Sequence, residues 1–189
     1  MAIFKEKVKA KVKNFIMLGL SLNLIIFLHS CASVDKIPES GQYHIIADVR
    51  FFAQETYQCG PASLAGVMNY WNIGVTPEEI AREIYSESAK GTLDIDMVIY
   101  PQKKGMFAEQ YSGGMEDLRK NIDAGHPLIT LVDYGFWVVQ ANHFMVIVGY
   151  NEHGVIANSG KEKGKFIAEK DFLKTWERTK FWTLLIKRK

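Results

Sequence analysis

The stretch QETYQCGPAS, residues 54–63, holds the side chains best suited to covalent chemistry. Cys59 directly precedes Gly60 and Pro61, and proline is favoured in the first turn of a helix, so we expect a helix to begin here. Unpaired N–H groups and the positive end of the helix dipole would favour a nucleophilic thiolate over a thiol. Gln54, five residues upstream, is spaced to join the Cys59 N–H in an oxyanion hole.

A nucleophilic thiol needs a base, and the base needs a side chain that orients it. His143 stands at the start of the strongest predicted strand, HFMVIVGY, and Asn158 ends the following strand. Two adjacent antiparallel strands can bring the Asn158 amide beside the imidazole. The other histidines lie in a leader, near a tether, before a proline and in an exposed turn: His29, His44, His126 and His153.

The elements that must position these residues change character halfway along the chain. The first half predicts helices, one of them beginning with a capping box at Thr76 and Glu79, another interrupted by Pro101. The second half is rich in β-branched and aromatic residues and predicts strands, with a hairpin turn at residues 151–154. The predicted fold is α+β, with N-terminal helices packed against a C-terminal, mostly antiparallel sheet.

The N-terminal segment has the pattern of an export signal. Five lysines up to Lys13 precede a 14-residue apolar run, Phe15 to Leu28, which is short of the roughly 20 residues of a membrane span. Leu28-His29-Ser30-Cys31 resembles a bacterial lipoprotein processing box, which implies lipidation of Cys31. We therefore expect a signal peptide at 1–30, a lipidated tether at 31–43 and a domain at 44–189. A plain signal peptide and an uncleaved single-pass anchor remain alternatives.

Composition narrows the possible partners and cofactors. After residue 30 the chain has 18 basic and 20 acidic residues, so it lacks the basic footprint of a nucleic-acid-binding protein. No metal-ligand spacing and no glycine-rich strand-to-helix turn is visible, so we expect neither metal nor cofactor. If Cys31 is lipidated, Cys59 has no disulfide partner.

These motifs resemble those of a known family. Gln54 with Cys59-Gly60-Pro61-Ala62, Ala-Asn-His143-Phe and Asn158-Ser-Gly resemble the papain-like cysteine peptidases, and among them the bacteriocin-processing, double-glycine leader peptidases in a stand-alone form. The resemblance covers roughly Val49 to Ile186. It implies that Cys59 is the nucleophile, His143 the general base and acid, Asn158 the orienting residue and Gln54 the oxyanion donor. The implied function is hydrolysis of peptide bonds in the cell envelope.

The sequence departs from this family at several points. Asp is often found at the third catalytic position, where Asn158 stands, and the spacing between Gln54 and Cys59 is one residue short of the commonest form. The ATP-binding and membrane-spanning modules of the transporter-fused members are absent from this sequence. Nothing therefore ties the chain to bacteriocin export.

Several alternatives stay open at this point. Papain-like folds also host amidases, transpeptidases and acyltransferases. The chain could instead be a non-catalytic, peptide-binding lipoprotein of the envelope, or Cys59 could be an inert core residue. Phe136 and Trp137 either line a cleft or belong to the core. Ala32 is not the Asp associated with inner-membrane retention, so the outer membrane is favoured in a cell with two membranes.

Overall fold

A computed structural model describes residues 42–54 and 58–189 of the chain. The predicted signal peptide, Cys31 and nearly all of the tether lie outside these residues. Within the described ranges, no helix combines the length and apolar character needed to cross a membrane.

Within residues 42–54 and 58–189, five helices form where the sequence carries helical periodicity and capping signals. Thr76 caps the second helix as predicted: its Oγ1 accepts from the Glu79 N–H at 3.2 Å, and its own N–H donates to the Glu79 carboxylate at 2.8 Å. Pro101 does not end the third helix as we expected, because it lies in the last turn, where few backbone bonds remain to be lost. The helices are α1 Cys59–Tyr70, α2 Pro77–Ile84, α3 Asp94–Lys103, α4 Met115–Asp123 and α5 Glu169–Glu177.

In the described part of the chain, nine strands form two sheets. The strands are β1 His44–Ile45, β2 Tyr85–Ser86, β3 Gly91–Thr92, β4 Phe107–Ser112, β5 Leu128–Asp133, β6 Asn142–Asn151, β7 Gly154–Ser159, β8 Glu162–Ala168 and β9 Trp182–Lys187. The large sheet has the order β4-β9-β5-β6-β7-β8, with β1 also paired to β6, and each of these pairs is antiparallel. β2 and β3 form a separate antiparallel pair. The α+β fold is confirmed.

The central strand β6 is covered on both faces, which explains its nearly continuous apolar sequence. Phe144, Val146 and Val148 pack in the same cluster as residues of α1, α2 and α3. Met145 and Ile147 pack in the cluster that contains residues of α4 and α5. The N-terminal helices therefore cover one face of the sheet as predicted, and α4 and α5 cover the other.

Helix α1 packs unusually close to its surroundings because it carries small residues. A Cβ atom added to Gly66 would lie 2.8 Å from the backbone oxygen of Arg50. One added to Gly60 would lie 2.8 Å from the Thr92 Cβ atom, and both separations are shorter than real contacts allow. These glycines let the N-terminal end of α1 sit against the segment that leads to Gln54 and against β3.

Candidate active site

Cys59 is the first residue of α1, as the sequence predicted. No side chain caps this helix, so Gln58 at the N-cap leaves the first N–H groups of the helix without a side-chain acceptor. Backbone groups of Phe144, Gly60 and Cys59 itself lie close enough to the Cys59 thiol to lower its pKa. The proximity of Phe144 places the sulfur near the beginning of β6, where Phe144 follows His143.

The pKa of the Cys59 thiol is shifted in the direction opposite to our expectation. Burial raises its pKa, and the three backbone groups lower it by less, so the pKa lies above its ordinary value. The helix start therefore does not produce a resting thiolate. At neutral pH the sulfur carries its proton, and a base must remove it before attack.

The His143 imidazole is fixed by a residue that sequence reasoning missed. Its Nε2 atom lies 3.0 Å from the Oγ atom of Ser159. The ring of Tyr134 lies beside it, with 5.8 Å between centroids and 37° between planes. Burial lowers the pKa of His143, and the positive charge of Lys165 lowers it further, so the ring is neutral at neutral pH.

Asn158 does not lie where we expected it. It is paired with Val146 in the β6–β7 register, and its Oδ1 atom accepts the Gly164 N–H at 3.0 Å. Successive side chains of a strand point to opposite faces, so the register that turns Ser159 towards His143 turns Asn158 away. Among the described residues, the ring's hydrogen bond goes to Ser159 and not to the Asn158 amide.

Gln54 is buried and tied to the residue that follows Ser159. Its backbone N–H donates to the Gly160 oxygen at 2.9 Å, and its side-chain Oε1 accepts the Gly160 N–H at 3.2 Å. An N–H group needs an acceptor, which fixes the amide orientation with the oxygen towards Gly160. The Gln54 amino group is thereby left for another acceptor.

One cleft of about 790 Å³ collects three of the four predicted catalytic residues. Gln54, Cys59 and His143 line it, together with residues of the β2–β3 turn and of the segment before β6. Asn158 lines a different cavity of about 510 Å³, beside β1. The tertiary structure thus brings together the nucleophile, base and oxyanion candidates and leaves the fourth outside.

Ser159 could have been found from the sequence only as one of two candidates. Asn158 and Ser159 adjoin at the end of β7, and both are polar. The turn at residues 151–154 sets the register near the hairpin, but the β6–β7 pairing shifts by one residue between Ile147 and Gly149. Such a shift exchanges the faces to which Asn158 and Ser159 point, and local sequence does not reveal it. Tyr134, which hydrogen-bonds Ser159, belongs to no sequence motif that would have predicted its place beside His143.

The arrangement is that of an acyl-transfer site rather than a metal centre. Within residues 42–54 and 58–189, no group of three or more His, Cys, Asp or Glu side chains is arranged to hold a metal ion. A thiol, a neutral imidazole and a primary amide facing one cleft can attack a carbonyl, move a proton and stabilise an oxyanion.

Comparison with protein families gives one match over most of the chain. The family model described as "Peptidase_C39 like family" matches residues 46–183. A protein of Methanothermobacter thermautotrophicus is 31% identical over 108 residues, which are 57% of this chain and 68% of that protein.

Solved structures share the fold at low sequence identity. A protein from Bacillus anthracis described as a C39-like peptidase aligns with a TM-score of 0.66 at 17% identity, over 78% of this chain and 98% of its own. The peptidase domain of Streptococcus ComA, a bifunctional ABC transporter involved in quorum sensing, aligns with a TM-score of 0.62 at 20% identity, over 75% of this chain and 99% of its own. A double glycine motif protease from an AMS/PCAT transporter, in complex with a leader peptide, aligns with a TM-score of 0.62 at 22% identity, over 76% of this chain and 94% of its own.

Proposed function

Because this chain belongs to the Peptidase_C39 like family and is therefore a thiol-dependent peptidase, we propose that Cys59 is its nucleophile and His143 its general base. The observation that carries this proposal is the shared cleft, into which both residues and Gln54 open. The proximity of the Phe144 backbone to the Cys59 thiol supports it, since Phe144 is the neighbour of His143 in β6.

The first chemical step starts from a neutral pair. The Nε2 atom of His143 bonds Ser159, so Nδ1 is the ring nitrogen that remains for the thiol proton. As Sγ of Cys59 bonds the carbonyl carbon of the substrate, its proton passes to Nδ1, and the carbonyl oxygen becomes an oxyanion. The Nε2–H group donates to Ser159 throughout, which keeps the ring in the tautomer that accepts the proton on Nδ1.

Two N–H donors stabilise the oxyanion. One is the Gln54 amino group, whose orientation is set because the oxygen of the same amide accepts from Gly160. The other is the Cys59 backbone N–H at the start of α1. Donors fixed in a site of this kind contribute about 10² to 10³ in kcat each.

Collapse of the intermediate completes the reaction. The imidazolium of His143 gives its proton to the leaving amine as the C–N bond breaks, and a thioester on Cys59 remains. Water then attacks the thioester, loses a proton to His143, and releases the carboxylic acid with the thiol restored. The substrate is a peptide.

The proposed site of action is the cell envelope. The lysine-rich start of the chain, the apolar run from Phe15 to Leu28 and the processing box at Cys31 support export and lipid anchoring. In a cell with two membranes, Ala32 favours the outer one. A Cys31→Ser variant that stays in the membrane fraction, and wild type that takes up no fatty-acid label, would contradict the lipid anchor.

Hydrolysis is tested by comparing peptide N-termini in cells with wild type and with Cys59→Ser. New N-termini that disappear in the variant support the proposal and report the cleavage specificity. Purified protein in H₂¹⁸O should label the new carboxyl group, whereas transfer to an added amine would identify an acyltransferase. The matched controls are His143→Ala, expected to be inactive, and His153→Ala in the exposed turn, expected to be active.

A further inference from the structure

Four consecutive apolar side chains stand in solvent between β5 and β6. The exposed fractions of Phe136, Trp137, Val138 and Val139 are 86%, 83%, 82% and 66%. We call residues 136–139 the apolar tip. Single exposed apolar residues are ordinary on protein surfaces, but a contiguous apolar patch marks an interaction site.

The apolar tip is held in a defined shape by hydrogen bonds at its base. The Val139 N–H donates to the Phe136 oxygen at 3.0 Å, which closes a turn. Below it, one carboxylate oxygen of Asp133 accepts the N–H groups of Gly135 at 2.8 Å and Ala141 at 2.7 Å. The two ends of the loop are thus joined through a single side chain.

An ion pair between the buried Asp133 and the partly exposed Arg178 supports the same base. Asp133 is only 2% exposed, and its other oxygen accepts from Arg178 Nε at 3.0 Å and Nη2 at 2.8 Å. Arg178 also reaches the Trp137 backbone oxygen at 3.5 Å. Trp137 has a φ of +55°, which bulky residues seldom adopt, so this support holds the tip in a conformation that the chain would not choose alone.

The apolar tip stands beside the active-site cleft but does not line it. The cleft is lined by Gln140, Ala141, Asn142 and His143, and residues 136–139 are not part of its described wall. A side chain of a bound peptide would need a concave pocket, whereas this tip projects outwards. Our expectation that Phe136 and Trp137 line a cleft or belong to the core is therefore wrong.

We propose that the apolar tip inserts into the interfacial layer of a lipid bilayer and holds the cleft close to the membrane surface. The inference rests on the proposed function, because it makes peptides located at a membrane the substrates of this peptidase. Trp and Phe suit the boundary between headgroups and acyl chains, where an amphipathic or aromatic ring is partly wet. Protruding loops can bury such side chains without any matching protein pocket.

The chain itself supplies a reason for choosing a bilayer over a protein partner. If Cys31 is anchored, ten residues lie between it and Gln42, the first described residue. The 11 steps from Cys31 to Gln42 span at most about 3.6 Å each when the chain is fully extended, or roughly 40 Å in all. An anchor with this reach keeps the domain near a membrane surface, which the apolar tip requires in order to insert.

One basic residue contacts the apolar tip, and two exposed lysines lie close to that residue in the sequence. Arg178 contacts the backbone of the tip and is paired with Asp133, and Lys174 and Lys180 stand on either side of Arg178 in the sequence, together with the acidic Glu177. Lys174 precedes Arg178 by four residues, which is about one helical turn. Each basic side chain close to an anionic surface adds to the attraction.

Tryptophan fluorescence tests the insertion, because Trp137 is well placed as a reporter. The chain has four tryptophans, none in residues 1–41, and Trp71, Trp176 and Trp182 are buried or half-buried. The full-length chain is reconstituted in vesicles of phosphatidylcholine and phosphatidylglycerol, with either ordinary or brominated acyl chains. We expect brominated lipid to quench the wild type and to leave Trp137→Phe nearly unquenched.

Paired variants and controls make the result decisive. Phe136→Ser combined with Val138→Ser should reduce the quenching of Trp137, whereas Ile95→Ser, a matched exposed apolar site on α3, should leave it unchanged. Equal emission in brominated and ordinary vesicles overturns the inference. So does a change in Trp137 emission produced by an added peptide but not by lipid, since that outcome assigns the tip to peptide binding.

The same measurement separates this inference from the proposed function. Quenching is a readout of insertion and needs no catalysis, so Cys59→Ala should be quenched as strongly as the wild type. If Cys59→Ala and wild type are equally quenched and neither cleaves peptides, the peptidase mechanism fails and the membrane contact stands. If wild type cleaves peptides and is not quenched, the membrane contact fails alone.

Discussion

The Nε2 atom of His143 lies 3.0 Å from the hydroxyl oxygen of Ser159, so an uncharged side chain fixes the imidazole. A carboxylate at this position would stabilise the imidazolium by its full charge. A hydroxyl contributes one hydrogen bond and fixes the tautomer, and it is itself hydrogen-bonded to Tyr134. Burial, and after it the positive charge of Lys165, leaves His143 with a lowered pKa.

Replacing Ser159 by Ala should reduce kcat with little change in KM. The lost hydrogen bond to the imidazolium is worth about 1.5 to 3 kcal/mol, which corresponds to a loss of roughly ten- to a hundredfold. Steady-state kinetics on a peptide substrate check this. The matched variant is the neighbouring Asn158→Ala, which should lower the melting temperature and leave kcat nearly unchanged. If Asn158→Ala lowers kcat and Ser159→Ala does not, Asn158 is the residue that orients His143.

Gln54→Glu separates the two roles of this side chain. Glutamate keeps an oxygen that can accept the Gly160 N–H, but it loses the N–H donor and brings a negative charge towards the oxyanion. We expect kcat to fall by about 10² to 10³. The melting temperature should fall as well, because a carboxylate at this buried position is desolvated, so activity is compared at a temperature at which circular dichroism shows both proteins to be folded. A variant with full activity would remove Gln54 from the oxyanion hole.

The pH dependence of kcat/KM should be a broad plateau. Activity requires a neutral imidazole and a protonated thiol at the start. The lowered pKa of His143 moves the acidic limb below the usual histidine value of about 6.5, and the raised pKa of Cys59 moves the basic limb above the usual thiol value of about 8.5. A plateau narrower than the interval between these two ordinary values would contradict the directions of both pKa shifts.

The free energy of unfolding should depend on pH through the same two groups, His143 and Cys59. The folded state disfavours the protonated imidazole, so the contribution of His143 is present above about pH 6.5 and is lost as the pH falls towards its folded pKa. Burial disfavours the thiolate, so the contribution of Cys59 is present below about pH 8.5 and is lost as the pH rises towards its folded pKa. Denaturant unfolding of wild type and Cys59→Ser at alkaline pH measures the second effect.

Gly60→Ala should destabilise the protein and damage the site, whereas Gly74→Ala should do neither. The added Cβ at residue 60 would lie 2.8 Å from the Thr92 Cβ atom and 3.1 Å from the Met97 sulfur. Overpacking of this kind costs about 1 to 3 kcal/mol. At residue 74 no atom lies within 4 Å of the added Cβ. Denaturation midpoints of the two variants provide the comparison, and equal midpoints would contradict the close packing at α1.

Local sequence determined much of the fold. Pro61 in the first turn predicted a helix that begins at Cys59, and the capping box at Thr76 predicted the next one. Asn151 predicted the turn between β6 and β7, where its Oδ1 accepts the N–H groups of His153 and Gly154. These signals act within a few residues, so they can be recognised without knowledge of the tertiary structure.

Three features were decided only when the chain folded. The β6–β7 register places Ser159, and not Asn158, beside His143, because the pairing shifts by one residue between Ile147 and Gly149 and such a shift exchanges the faces of the strand. Burial set the direction of the Cys59 pKa, overcoming the helix start that local reasoning had favoured. Contacts from Asp133 and Arg178 across the fold held Phe136 and Trp137 out in solvent. Register, desolvation and long-range contacts depend on residues far apart in the sequence, and only the tertiary structure brings those residues together.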